Sequence, residues 1–101
     1  MHNIWIADDD EAIRMVLEEG LKSSELAITT FANGESLIEA LNEDQPDLII
    51  SDIRMPEIDG LLLRKYVNQN VKTELIPFIF LSSVKEKDII ETPVHKVISP
   101  R

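Results

Sequence analysis

"DLIISDIRMPEIDG", residues 47–60, decides how this chain is read. Leu48, Ile49 and Ile50 form a short apolar run with the length and composition of a strand. No polar residue alternates within the run, which is the pattern of a parallel strand covered on both faces. It ends on Asp52, a carboxylate where a buried strand has to stop. Met55-Pro56 and Asp59-Gly60 follow. Pro56 removes a backbone donor and stiffens the segment, and Asp59-Gly60 predicts a tight turn in which Gly60 tolerates positive φ.

Outward from this stretch, strand and helix signals alternate. "NIWIA" (3–7) is a second apolar run, and "LAITTF" (26–31) and "IPFIFLS" (76–82) read as two more strands. Between them, residues 10–24 place Ile13, Val16, Leu17 and Leu21 at helical spacing, with Asp10 at the N-cap position. Asn33-Gly34 is a turn signal. Leu37, Ile38 and Leu41 mark a second helix ending near Asn42, and residues 61–70 a third. After Ser83 the signal weakens: "VKEKDII" suits two helical turns, Pro93 interrupts, and "VHKVIS" (94–99) suits a fifth strand. This alternation predicts right-handed crossovers and a doubly wound parallel sheet of the α/β class.

Length and composition agree with that reading. The 101 residues, 44% hydrophobic, suit a single domain spanning 1–101 with one core. With no cysteine, neither a disulfide framework nor a thiolate metal site is possible. No apolar run approaches the ~18 residues of a membrane span, and acidic residues arrive too early, at Asp8, for a signal peptide. A cytoplasmic protein without a membrane partner is expected. The net charge of −9 is uneven: residues 1–60 hold 15 of the 19 acids and 3 of the 10 basic residues, a balance of −12 against +3 in the remainder. Such an acidic half repels phosphate and argues against direct nucleic-acid binding.

In open parallel sheets the working groups collect at the carboxyl ends of strands. Asp8, Asp9, Asp52 and Ser82 all fall at expected strand ends, remote in sequence and brought to one edge by the topology. Clustered aspartates repel, and one is driven toward protonation unless a cation sits between them. Oxygen ligands without His or Cys select a hard ion, and Mg²⁺, which needs only one or two carboxylates plus water, fits. Asp52 then becomes a candidate nucleophile in phosphoryl transfer, where metal and positioned donors supply most of the catalysis. Taken singly, each feature has a plainer reading: a loop turn, a strand-end serine, or acids at a helix N-terminus.

"IADDDEAIRMVL", "DLIISDIRMPEIDGLLL" and "IPFIFLSS" together resemble the receiver domain of two-component response regulators, with the wording of residues 1–83 most similar to receivers of the nitrogen-regulator type. The resemblance implies a flavodoxin-like fold. It implies Asp52 as phosphoacceptor, Asp8 and Asp9 as the acidic pair that binds Mg²⁺ with Asp52, the backbone carbonyl of Arg54 as a further metal ligand, and Ser82 as the switch hydroxyl. It further implies a sensor histidine kinase as partner, and a chain that is not an enzyme beyond self-phosphorylation and self-dephosphorylation of its aspartate.

Residues 84–101 depart from the family. If Pro100 is the family's proline, Ser99 stands where a lysine is expected and Lys96 where an aromatic switch residue is expected, and no residues remain for a fifth helix. A sheet lacking that helix leaves apolar surface open, so a homodimer through residues 84–101 is expected. Two other readings compete with the phosphoacceptor: a degenerate receiver working as a phosphorylation-independent interaction or oligomerisation module, and a Mg²⁺-dependent phosphohydrolase, for which the chain has no spare loops to build a substrate pocket.

Overall fold

The computed structural model describes residues 1–81 and the short strand Ile98–Ser99. In chain order these are β1 (His2–Ala7), α1 (Glu11–Leu21), β2 (Leu26–Phe31), α2 (Gly34–Ala40), β3 (Leu48–Asp52), α3 (Gly60–Gln69), β4 (Phe78–Leu81) and β5 (Ile98–Ser99). One sheet runs β2-β1-β3-β4-β5. Its first four strands are mutually parallel, as the uninterrupted apolar runs predict. Among the described residues, no helix is long and apolar enough to cross a membrane.

Successive residues of β1 feed opposite faces of the sheet. Ile4 and Ile6, with Ile50, form a small cluster against Leu17 and Leu21 of α1. Trp5 and Ala7 join the larger core on the other face, with Leu37 of α2, Leu63 and Val67 of α3, and Phe78 and Phe80 of β4. Trp5 also meets Phe31, ring centroids 5.2 Å apart. The two faces are unequal: α1 contributes no fully buried side chain, whereas α3 buries Gly60, Leu63 and Val67. The amino-terminal edge is closed by Asp47, whose backbone N–H donates to the Asn3 carbonyl while its carboxylate accepts the Asn3 N–H, both at 2.8 Å.

Three sequence expectations are corrected. Asn33-Gly34 is not a free turn. Asn33 caps α2, its side chain accepting the Ser36 N–H at 2.8 Å, and Gly34 is the first helical residue. Asp59-Gly60 is the same device: Asp59 accepts the Leu62 N–H at 2.8 Å and caps α3. Gly60 is not at positive φ; the one described residue that is, Glu57 (φ 66°), lies three positions earlier. Gly60 is required by proximity instead, since a Cβ there would overlap the Asp52 carbonyl oxygen.

The fifth strand is the third correction. Its described residues, Ile98–Ser99, run antiparallel to β4, with Ile98 opposite Ile79 and Ser99 opposite Phe78. An antiparallel neighbour needs no crossover helix. Phe78 begins β4, whereas Leu81 at its other end partners Asp52. Ser99 therefore stands about 10 Å down the strand from the edge where the family's lysine belongs. Apart from these two residues, the segment 84–101 expected to mediate dimerisation lies outside the described residues, as does Ser82.

The glycines give a direct test. Gly60→Ala forces a methyl group onto backbone and should cost roughly 2 kcal/mol, the order of overpacking. Around Gly20 in α1, nothing lies within 4 Å of the place a Cβ would take, so Gly20→Ala should stabilise by roughly 0.5–1 kcal/mol through helix propensity. Urea unfolding midpoints at constant m-value measure both, and equal effects at the two sites would contradict the packing described.

Candidate functional site

The strand order reverses between β1 and β3, for β1 leads outward to β2 while β3 leads the other way to β4. A crevice at the carboxyl ends of the strands is expected at such a point. The register pairs Ala7 with Ser51, so Asp8 follows β1 just where Asp52 ends β3. Asp8, Asp9 and Asp52 each direct a carboxylate oxygen into this crevice, all within 4.8 Å of one another. Asp8 is buried, Asp52 half-buried and Asp9 exposed.

Asp8 is fixed at three atoms. Its N–H donates to the Phe31 carbonyl at 3.0 Å, extending the β1–β2 ladder by one step. Its carbonyl accepts a bond from Arg14 Nη1 at 2.7 Å. Its Oδ1 accepts the Asp10 N–H at 2.9 Å, turning the chain toward α1. Asp10 points away and caps α1, its Oδ1 accepting the N–H groups of Ala12 at 2.9 Å and Ile13 at 3.3 Å, as expected from sequence. Arg14 is a functional residue that the sequence reading misses. The available signal is a lone basic residue one helical turn beyond four consecutive acids.

Burial raises the Asp8 pKa above the ordinary carboxylate range, and the negative charges of Asp9 and Asp10 add to the rise. The Asp10 N–H and the Arg14 guanidinium oppose it. The expected pressure toward protonation is present, but desolvation, more than mutual repulsion, is its main source.

On the other side of the crevice, Ile53–Gly60 forms a closed loop, its ends tied by the Gly60 N–H donating to the Ile53 carbonyl at 2.8 Å. Ile53 and Met55 turn into the main core, while Arg54, Pro56 and Glu57 are exposed. Met55 thus anchors the loop that Pro56 stiffens. Ser51, directly before Asp52, is buried and donates its hydroxyl hydrogen to the Asp52 carbonyl at 2.8 Å. The main chain of Asp52 is therefore held from two sides, by the Ser51 hydroxyl and by the close approach of Gly60.

The donor set suits a hard divalent cation: three carboxylates and no imidazole or thiolate, with both exposed and buried oxygens so that part of a hydration shell is retained. Such an ion would also relieve the charge crowding that burial imposes on Asp8.

Comparison with known proteins identifies a family. The response regulator receiver domain family matches residues 4–96. The DNA-binding transcriptional regulator NtrC of Escherichia coli K12 is 42% identical over 85 residues, covering 84% of this chain and 18% of that protein. The chain thus spans less than a fifth of that relative. The solution structure of the apo receiver domain of nitrogen regulatory protein C superposes with a TM-score of 0.75 at 36% identity, over 97% of this chain and 77% of that one. A putative response regulator from Chloroflexus aurantiacus superposes with a TM-score of 0.80 at 30% identity, over 87% of this chain and 72% of that one.

The raised Asp8 pKa fixes a pH dependence. A carboxyl whose pKa is higher folded than unfolded favours the fold below its unfolded value, about 3.9, and loses that contribution as pH rises through the folded value. Without divalent ions, Asp8→Asn should therefore be more stable than the parent near neutral pH, the gap closing below about pH 4. Thermal unfolding in a chelator across this range measures it. A less stable variant at neutral pH would mean that the Asp8 charge is stabilising.

Proposed function

The chain belongs to the response regulator receiver domain family, and from that premise we propose that it is a phosphoacceptor, with Asp52 taking a phosphoryl group from a sensor histidine kinase. The observation that carries this reading is the gathering of Asp8, Asp9 and Asp52 within 4.8 Å at the sheet's switch point. Of the three, Asp52 combines a main chain held from two sides with only partial burial, so an oxygen is presented on a fixed base.

In this reading a carboxylate oxygen of Asp52 attacks phosphorus. A P–O bond forms as the P–N bond to the kinase histidine breaks, the electron pair returning to the imidazole nitrogen. The product is an acyl phosphate. Mg²⁺ is the proposed cofactor: Asp8, Asp9 and Asp52 with the Arg54 carbonyl would hold it, and it would supply charge neutralisation for the incoming phosphoryl group. Asp8, buried and fixed at three atoms, orients the ion's site; Asp9 closes it from the solvent side. Ser82 is proposed as the hydroxyl that reports the phosphoryl group, on the strength of its place just after β4. No turnover of an external substrate is proposed. The output is a rearrangement of surface.

A two-fold homodimer belongs to the same reading. It is supported by Met15 and Val16 on α1, 60% and 67% exposed, on the side of the sheet that is the more thinly covered among the described residues. Sedimentation at micromolar concentration should show a dimer, and a monomer throughout would remove this part.

The main test is intact-mass measurement after incubation with acetyl phosphate. One phosphoryl group should be gained with Mg²⁺, none in chelator, and none by Asp52→Asn. Ser99→Lys should leave the yield unchanged, since its partner Phe78 lies at the far end of β4. Undiminished labelling of Asp52→Asn places the acceptor elsewhere. A folded chain that takes no label at all would favour the phosphorylation-independent interaction module.

A further inference from the structure

Away from the acidic crevice, α2 and α3 diverge enough to leave a groove of about 440 Å³, lined by Ile38, Ile58, Leu62, Lys65, Tyr66 and Gln69. Leu62, Lys65, Tyr66 and Gln69 follow the spacing i, i+3, i+4, i+7 and so form one continuous stripe of α3. Leu62 is 48% exposed although it is a large apolar residue in the first turn of a capped helix. Core packing does not account for it, because Leu63 and Val67 already fill the interior. Ile58 is held at the groove by direct contact with α2, where a Cβ on Gly34 would lie 2.8 Å from its Cγ2.

The rim of the groove is acidic at one end. Glu57, at φ 66°, lies beside Glu35 in the first turn of α2, and the closeness of that carboxylate raises the Glu57 pKa. This pair of carboxylates stands next to the groove, since Glu57 directly precedes the lining residue Ile58. Glu39 stands one turn further along the same side of α2 as Glu35, and Asp59 follows Ile58; against these acids, Lys65 is the basic residue of the lining.

We propose that this groove docks a segment of another protein that presents an apolar side chain flanked by lysine or arginine. The apolar side chain sits among Ile38, Ile58, Leu62 and Tyr66, and the cation bridges the Glu35 and Glu57 carboxylates. Charge selects the occupant. An acidic segment would meet Glu35, Glu39, Glu57 and Asp59 at once, whereas a basic one relieves the forced proximity of two of them. Self-contact between copies is disfavoured for the same reason, since this acidic rim would face its own image.

The test uses the full chain, ¹⁵N- and methyl-labelled, titrated with three capped tetrapeptides: Arg-Leu-Leu-Arg, Arg-Ala-Ala-Arg and Glu-Leu-Leu-Glu. Only the first should produce saturable shifts centred on Ile38, Ile58, Leu62 and Tyr66. Leu62→Glu, at an exposed site, should weaken it about tenfold, as loss of an anchor does. Glu57→Gly supplies the control for misfolding. It removes a side chain from a left-handed backbone position that glycine tolerates and separates the carboxylate pair, so it should raise the unfolding midpoint while weakening the peptide. Equal shifts from the alanine peptide, or shifts spread over Asp8 and Asp9, would reduce the effect to general attraction by an acidic surface and overturn the proposal. Shifts at the same residues that grow with protein concentration alone would overturn it in favour of a second copy.

Discussion

A carboxylate buried to 4% exposure within 4.8 Å of two others is the constraint on which the rest of this fold depends. Isolated in an apolar interior, an ionised Asp8 would be too costly to keep. The structure offsets part of the cost with a backbone N–H to the carboxylate and the Arg14 guanidinium on the carbonyl, while a continued strand hydrogen bond to Phe31 fixes the main chain. Each partner comes from a different element, the turn into α1, the helix itself and β2. Parallel pairing of β1 with both β2 and β3 is what brings them together, and the same pairing delivers Asp52.

The two sides of the sheet answer this constraint differently. On the α2–α3 side, a continuous core from Trp5 to Phe80 gives the rigid platform that sets the ends of β1 and β3 in register. On the α1 side, Ile4, Ile6 and Ile50 meet only the partly buried Leu17 and Leu21 of the helix. Yet α1 carries the Asp10 cap and Arg14, both of which act on the acidic turn. Its role in holding the site is thus larger than its share of buried area. A lightly packed helix is also the kind of element from which moving parts are drawn.

Much of this is legible in the sequence because strand and helix periodicities differ so strongly. The runs around Trp5, Ile28 and Ile49 mark their strands to within a residue or two, and the carboxyl-end rule then places Asp8, Asp9 and Asp52 together. Asp10 reads correctly as a cap. The two glycine turns mislead for one physical reason. Asn-Gly and Asp-Gly are turn signals when an isolated dipeptide needs positive φ, but here Asn33 and Asp59 cap helices and the glycines make room for a neighbouring chain. Close approach between remote segments leaves no local pattern. The same holds for Glu57, whose positive φ follows from loop closure and not from its own preference, and for Ser99, whose antiparallel register no periodicity over two residues can specify.

The closed loop Ile53–Gly60 joins these observations. At one end Gly60 lies against the Asp52 carbonyl, and its N–H is committed to Ile53. Two residues before Gly60, Ile58 is wedged against Gly34 and forms part of the α2–α3 groove, with Glu57 at the rim. Pro56, with its fixed φ, and the buried Met55 restrict the span between, so the loop acts as a short strap tied at both ends. A ligand acting on one end influences the other only through its differential affinity for the strap's positions. Whatever coupling results is equal in both directions. The geometry thus puts the acidic crevice and the groove on a single segment of chain. That arrangement explains why the segment after Asp52 carries a proline, a buried methionine and a contact glycine within so few residues: each removes a degree of freedom from the strap.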